Sequence, residues 1–394
     1  MPYSLDLKYN GNKKIAVLHD YLYSLGGAEK VLESILDLLP QAELFTSFYD
    51  KSFPSEIIKK KYKDGQLHTS ILDRLPKNKF LEKIYRKLSF LVFRRWDFSK
   101  YDVLVINSSG PATWVKKSND QKIISYYHKI PSFEFLGLKD IEKQNSPELV
   151  EKAMDNGELM LGSARRSFSI LDRYFKSHNR KYIDQIDILI SNSIHYSKNF
   201  RILYGKSPKI VNPPIDENHL KDILKFKKPD YSSDYYVYLG RLEPYKGIEF
   251  IVDACIKMNK KLKVIGNGSL KDKLPKHQLI EYLGFVSESS KYEILANARA
   301  LINGSREDFG IVYLDALCSG TPIIAFGEGG VSEIAKEAEN AIFFTSQDSS
   351  SLMDALDRFE KSNIKISESE RLDIISRYGK ARFKKEILDI IEGI

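Results

Sequence analysis

Apolar residues follow two alternating rhythms along the chain. Short runs rich in Ile, Val and Tyr alternate with stretches in which apolar positions recur at helical spacing. Lys14–His19 (KIAVLH) reads as a strand, and Ala28–Leu39 follows with Val31, Leu32, Ile35, Leu36 and Leu39 on one face. Further strands are predicted at Glu43–Phe48, Asp102–Asn107, Lys122–Tyr127 and Asp187–Ser191. Strand and helix in alternation make β-α-β units, a parallel sheet with helices on both faces.

Lys209–Asp216 (KIVNPPID) interrupts this series. Pro213 and Pro214 cannot donate to a ladder and hold the chain extended. The polar stretch Lys221–Asp234 then reads as an interdomain linker. A second series has strands at Tyr235–Leu239, Lys261–Ile265, Ile280–Leu283, Ala300–Asn303, Pro322–Ala325 and Ala341–Phe344. Helices are predicted at Ile248–Met258, Ser290–Ala298, Val312–Ser319 and, last, Leu372–Ile391. The expectation is an α/β protein of two doubly wound domains, residues 1–213 and 214–371. Residues 372–394 would form a terminal helix returning to the first domain.

A length of 394 residues accommodates two or three domains at roughly 100–200 residues each. Cys255 and Cys318 are too few for a disulfide framework and read as small buried hydrophobes. No apolar run is long enough to span a bilayer and Met1–Lys14 lacks a leader's apolar region, which predicts a cytoplasmic protein. The net charge of +8 points to an anionic partner without naming it.

The turns after predicted strands narrow that choice, because ligands of such sheets bind at the strands' C-terminal ends. Gly26-Gly27 opens the first helix and suits close approach of an anion to backbone N–H groups, or simply a tight turn. Arg241 and Lys246 share a turn bounded by Gly240 and Gly247, a fork of donors and a point charge suited to a diphosphate. Glu307 and Asp308 follow another strand and lead through Phe309-Gly310 into a helix carrying Asp315. Carboxylates that accept hydroxyls, beside cations that grip phosphate, describe a nucleotide-sugar site. No metal-ligand spacing is present, and no nucleic-acid motif accompanies the basic residues.

In these motifs the sequence resembles the retaining glycosyltransferases of family 4, which have the GT-B fold, two Rossmann-like domains facing a cleft. The matching motifs are Gly26-Gly27-Ala28-Glu29, Gly240-Arg241-Leu242 with Lys246-Gly247, Glu307-Asp308-Phe309-Gly310, and Gly327–Glu333. The resemblance implies that Arg241 and Lys246 bind the donor diphosphate and that Glu307 orients the sugar. Phe309, Gly310 and Ile311 would give backbone amides, and Phe285 and Val286 would border the nucleobase. His128 would lie near the sugar, and the second acid of the family's E-x7-E pattern would hold the ribose. Here that acid is Asp315, one methylene shorter than Glu. Neither a metal nor a cofactor is implied.

Arg74–Trp96 (RLPKNKFLEKIYRKLSFLVFRRW) interleaves cations with apolar residues, Glu82 being its one acid. Lys83, Arg86, Lys87, Arg94 and Arg95 would form a face for anionic lipid at the inner side of the cytoplasmic membrane. A helix packed on the core with a basic outer side is the other reading. A second basic stretch lies in Pro131–Tyr182, and shapes the acceptor site or forms a solvated face. The expected reaction moves a hexose, mannose from GDP-mannose, to a glycan or lipid-linked acceptor of surface polysaccharide assembly. The alternatives are a UDP-sugar donor, or a catalytically silent protein that binds nucleotide-sugar.

Overall fold

The structure is a computed structural model describing residues 7–23, 25–76, 79–108, 110–129, 178–215 and 234–394, without the side chains of 79–83 and 87. Residues 221–233 of the predicted linker and 131–177 of the second basic stretch lie outside the described residues. Two compact units form. Of the described residues, one holds those up to Pro214 together with Lys380–Ile394, and the other holds Ile215 and those from Asp234 to Gly379.

The first unit contains strands β1 (Ile15–His19), β2 (Glu43–Thr46), β3 (Leu67–Thr69), β4 (Val103–Ser108), β5 (Lys122–Tyr127), β6 (Ile188–Ser191) and β7 (Lys209–Ile210). They form one sheet in the order β3-β2-β1-β4-β5-β6-β7, with every pairing parallel. A parallel sheet covered on both faces needs strands that are apolar throughout. β1 shows this: Ile15 and Val17 enter one core with Val31 and Ile35, while Ala16 and Leu18 enter another with Phe93 and Phe200. Helix Gly27–Leu38 packs beside Lys380–Glu392, where Asp37 lies 2.8 Å from Lys380 Nζ and 2.6 Å from Lys384 Nζ. Burial alone would raise the Asp37 carboxyl, but the two lysines hold it below its ordinary value.

The second unit contains β8 (Tyr235–Leu239), β9 (Lys261–Ile265), β10 (Ile280–Gly284), β11 (Leu301–Asn303), β12 (Ile323–Phe326) and β13 (Ala341–Phe344). Their order is β10-β9-β8-β11-β12-β13, again all parallel. Val237 faces one core with Tyr313 and Leu317, and Tyr236 and Tyr238 face the other with Ile251 and Leu356. In each sheet the chain reverses its winding direction once, between β1 and β4 and between β8 and β11. Those two crevices are where doubly wound sheets take ligands.

The end of the chain differs from the expected single helix over Leu372–Ile391. Two helices form, Glu368–Tyr378 and Lys380–Glu392, broken at Gly379, whose backbone is extended. Ile374, Ile375 and Tyr378 are buried in the second unit, and Tyr378 accepts the Ile215 N–H at 2.8 Å. The return to the first unit therefore begins at Lys380 rather than at 372.

Candidate functional site

The switch point of the second sheet gathers the strongest chemistry. After β8 the chain turns through Arg241 and a short helix Pro244–Lys246, and the left-handed Gly247 starts helix Ile248–Lys257. After β11 comes Gly304–Gly310, then helix Ile311–Cys318. Lys246 Nζ donates to Glu307 Oε1 at 2.5 Å, and Ser305 Oγ donates to the same oxygen at 2.6 Å. Asn303 Oδ1 accepts from the Ser305 N–H at 2.9 Å, which fixes the residue whose hydroxyl meets Glu307. Burial would raise the Glu307 carboxyl. The Lys246 ammonium and the hydrogen bonds outweigh that and hold it below its usual range.

Tyr245 separates the two cations of the turn. Its ring lies 5.5 Å from the Arg241 guanidinium and 5.4 Å from Lys246 Nζ. Tyr238 OH donates to the Arg241 carbonyl at 2.7 Å and ties the start of the turn to the sheet. The glycine loops stack backbone on backbone around these residues. A Cβ at Gly266 would lie 1.9 Å from the Gly240 carbonyl oxygen, and one at Gly329 would lie 2.3 Å from that of Glu307. Both glycines have positive φ, 133° and 94°. The Gly330 N–H donates to the Glu307 carbonyl at 2.8 Å, so residues 327–333 set the height of the Glu307 turn.

The other residues named from sequence divide. Phe309 is buried, its ring 5.9 Å from that of Tyr378, so its side chain serves the core and only its backbone faces the turn. Gly310 is left-handed and precedes helix Ile311–Cys318, with Ile311 packed at the core's edge. Asp308 lies beside Glu307 with partners of its own. Phe285, just past β10, is 82% exposed, whereas Val286 packs against the core. Asp315 departs from the expected ribose contact. It is buried, with Oδ2 2.9 Å from Lys291 Nζ and Oδ1 accepting from Tyr292 OH at 2.9 Å. The shorter side chain is spent inside the domain. Lys291 and Tyr292 lie on a different helix, Glu288–Ala296, so local motif reading missed them.

In the first unit, Gly26 precedes helix Gly27–Leu38, but its N–H already donates to Glu29 Oε2 at 2.9 Å. His128 follows β5, and its Nε2 lies 2.7 Å from Asn107 Oδ1. Asn107 was not singled out from sequence, since an Asn ending an apolar strand carries no motif. Among the described residues no group of three or more His, Cys, Asp and Glu is placed to hold a metal ion. The free thiols of Cys255 and Cys318 are buried, and burial pushes Cys255 up to about 12.

Helix Lys79–Arg95 has an inner face and an outer face. Tyr85, Ser89, Phe90 and Phe93 are buried, while Ile84, Leu88 and Leu91 are 41%, 38% and 39% exposed. Arg86 stacks over Tyr21 at 4.7 Å, Arg95 is exposed and Arg94 half-buried. The side chains of Lys83 and Lys87 lie outside the described residues. Among the described residues no helix is long and apolar enough to cross a membrane.

Residues 221–382 match the family described as "Glycosyl transferases group 1". An uncharacterised glycosyltransferase of Methanocaldococcus jannaschii is 28% identical over 170 residues, covering 39% of this chain and 43% of the relative. An alpha-1,3/1,6-mannosyltransferase of Kluyveromyces lactis is 24% identical, covering 82% of this chain and 71% of that one. The chain spans about half the length of the first curated relatives it matches, 43%, 49% and 59%. Among solved structures, HepE of Anabaena in complex with UDP and glucose superposes with a TM-score of 0.66 at 17% identity, covering 97% of this chain and all of that one. Residues 221–382 thus match the group 1 glycosyl transferases, in a chain that has the GT-B fold and resembles the glycosyltransferases of family 4.

Proposed function

We propose that this chain transfers a hexose from a nucleoside diphosphate sugar to an acceptor hydroxyl, with retention of configuration. The observation that carries the reading is the Lys246–Glu307 pair at the β8/β11 switch point, beside the exposed Arg241. The departing diphosphate gains negative charge as the glycosidic bond breaks. Arg241 and Lys246 neutralise it, and preorganised charge of this kind is usually the largest catalytic contribution. Glu307 accepts hydroxyls of the donor sugar and holds Lys246 in place. The acceptor hydroxyl attacks from the leaving group's face and gives its proton to the departing phosphate. The two cations supply the positive charge, so the reading assigns no metal and no cofactor. The resemblance to family 4 is what assigns His128 to the sugar in this reading.

The donor in this reading is GDP-mannose, in keeping with the mannosyltransferases among the relatives, including an O-antigen chain mannosyltransferase of Escherichia coli. A UDP-sugar is the second reading, favoured by the UDP complexes of HepE. Purified protein incubated with a panel of GDP- and UDP-sugars tests both by nucleotide release with and without acceptor. GDP-mannose should be cleaved fastest, and Glu307→Ala should abolish the signal. Preference for a UDP-sugar selects the second reading. Binding without turnover of any donor would establish the silent scaffold instead.

The acceptor in this reading is a lipid-linked glycan, met at an anionic membrane by helix Lys79–Arg95. Ile84, Leu88 and Leu91 project outward one and two helical turns apart, and Ile71, 72% exposed, lies on the preceding segment. Apolar surface flanked by Arg86 and Arg95 fits the boundary of an anionic bilayer. Vesicles containing phosphatidylglycerol should pull down the protein, and neutral phosphatidylcholine vesicles should not. Ile84→Ser/Leu88→Ser should halve the bound fraction or more. Equal pull-down by both vesicle types sinks the membrane reading.

A further inference from the structure

Asn107 is the penultimate residue of β4, at the switch point of the first sheet, paired in register with His19 of β1 and Tyr126 of β5. It is fully buried, and its side chain lies between two histidines. Its orientation follows from chemistry. Nδ2 lies 3.0 Å from the Ala28 carbonyl oxygen, a group that only accepts, so the donating end of the amide must point there. The other end, Oδ1, only accepts, and it lies 2.7 Å from His128 Nε2. His128 Nε2 therefore bears a hydrogen.

Burial disfavours a charged His128 most, and His19 and Lys129 add to it, so its imidazolium loses its proton at about 3. Above that pH His128 is a neutral ring with hydrogen on Nε2 and a lone pair on Nδ1. Its neighbour differs. His19 Nδ1 lies 2.8 Å from the Asn107 carbonyl oxygen, and Nε2 lies 3.5 Å from Glu29 Oε1. Burial opposes charge on His19, but Glu29, Asp20 and the Asn107 carbonyl outweigh it and raise its value. Asp20 is itself held by Ser108 Oγ at 2.5 Å and the Ala112 N–H at 2.9 Å. From β5, the Tyr126 ring stands 5.0 Å from that of His128.

We infer that Asn107 is a positioning residue: it fixes the tautomer of His128 so that Nδ1 stays available as a hydrogen-bond acceptor for a substrate hydroxyl. This rests on the reading of His128 as sugar-facing. An imidazolium has donors at both nitrogens, so charging the ring would abolish that acceptor. The neutral amide at Asn107 satisfies Nε2 without drawing a proton onto Nδ1.

Nitrogen NMR of the full chain labelled at histidine tests the inference, with Asn107→Asp as the isosteric variant. Wild-type His128 should show hydrogen on Nε2 and no titration above pH 5. Asn107→Asp places a carboxylate against the ring, and the His128 midpoint should rise by about two pH units. Its kcat/KM for donor cleavage should then fall with decreasing pH through that same midpoint, a limb the wild type lacks. Hydrogen on Nδ1 in the wild type overturns the inference, as does an unmoved midpoint or an unchanged pH profile in the variant. If Asn107→Asp does not fold, the wild-type tautomer decides alone. Full turnover by His128→Ala would remove the sugar-facing role on which the positioning depends, whereas the tautomer is read from the spectrum independently of activity.

Discussion

Lys246 Nζ and Glu307 Oε1 lie 2.5 Å apart, although their residues follow different strands and are 61 positions apart in sequence. β8 and β11 are neighbours at the switch point, so the turns after them converge. Glu307→Gln keeps the shape and the Ser305 contact but removes the charge. It should lower turnover on the order of 100- to 1000-fold, since it deprives a half-buried ammonium of its partner and, in the proposed reaction, the sugar of a charged acceptor. Initial rates of donor cleavage, with circular dichroism as the check on folding, measure it.

The same pair predicts an acid dependence of stability. The folded-state value of Glu307 lies below the ordinary 4.5. Its stabilisation is therefore complete above about pH 4.5 and fades as the pH falls through the lower folded-state value. Wild-type protein should lose more stability than Glu307→Gln between neutral pH and pH 3. Melting temperatures of both proteins across that range provide the comparison. Parallel curves would mean that the pair contributes nothing to folding.

Asp315 gives a prediction of the opposite kind, with stability foremost. Asp315→Ala strips Lys291 and Tyr292 of a shared buried partner. Glu288, 2.8 Å from Lys291 Nζ, compensates in part. Removing one member of a buried pair costs about 3 kcal/mol at the lower end of the usual range. For a unit of this size that lowers the melting temperature on the order of 6–12 °C. Differential scanning calorimetry resolves it, and an unchanged transition would show Lys291 to be satisfied without Asp315.

These sites were unequally legible in the sequence. Glu307, Arg241 and Lys246 stand in turns after apolar strands, and strand ends are easy to read because a buried parallel strand is apolar at every position. Tyr235–Leu239 and Ala341–Phe344 were placed to the residue for that reason. Leu67–Thr69 and Lys209–Ile210 are too short to show a pattern, and only pairing at the sheet's edges makes them strands. Helix Ser349–Lys361 opens on serines and was not predicted; its side chains Leu352, Leu356 and Phe359 bury one stripe. Long-range partnerships were invisible for a different reason. Lys291 with Asp315, and Asn107 with His128, depend on which strands become neighbours, and no local spacing encodes that.

Tyr245 stacks near both cations of the β8 turn yet is itself 45% exposed, so its removal should spare the fold. An exposed cation–π contact contributes about 0.5–1 kcal/mol. Without the ring, Arg241 samples more rotamers before the donor arrives. Tyr245→Ala should raise the donor KM by roughly two- to five-fold and leave kcat nearly unchanged. Steady-state kinetics on the preferred donor separate the two parameters, and a fall in kcat alone would assign Tyr245 to the reaction step instead.

Gly329→Ala tests how rigidly the Glu307 turn must be held. The residue has φ 94°, and a methyl group there would sit 2.3 Å from the Glu307 carbonyl oxygen and 3.2 Å from its nitrogen. Backbone on both sides leaves no flexible side chain to yield. The Gly330 N–H would be pushed off the same carbonyl, and Glu307 would shift relative to Lys246. A displacement of an ångström at a catalytic group can cost about 100-fold in rate, and Gly329→Ala should lose at least that much without touching any charged atom. Amide exchange at Glu307 and Gly330 should speed up in the variant while exchange in β8 and β12 stays slow. Near-wild-type turnover with fast exchange would show that the turn adapts when the donor binds, and that its rigidity is not what Glu307 requires.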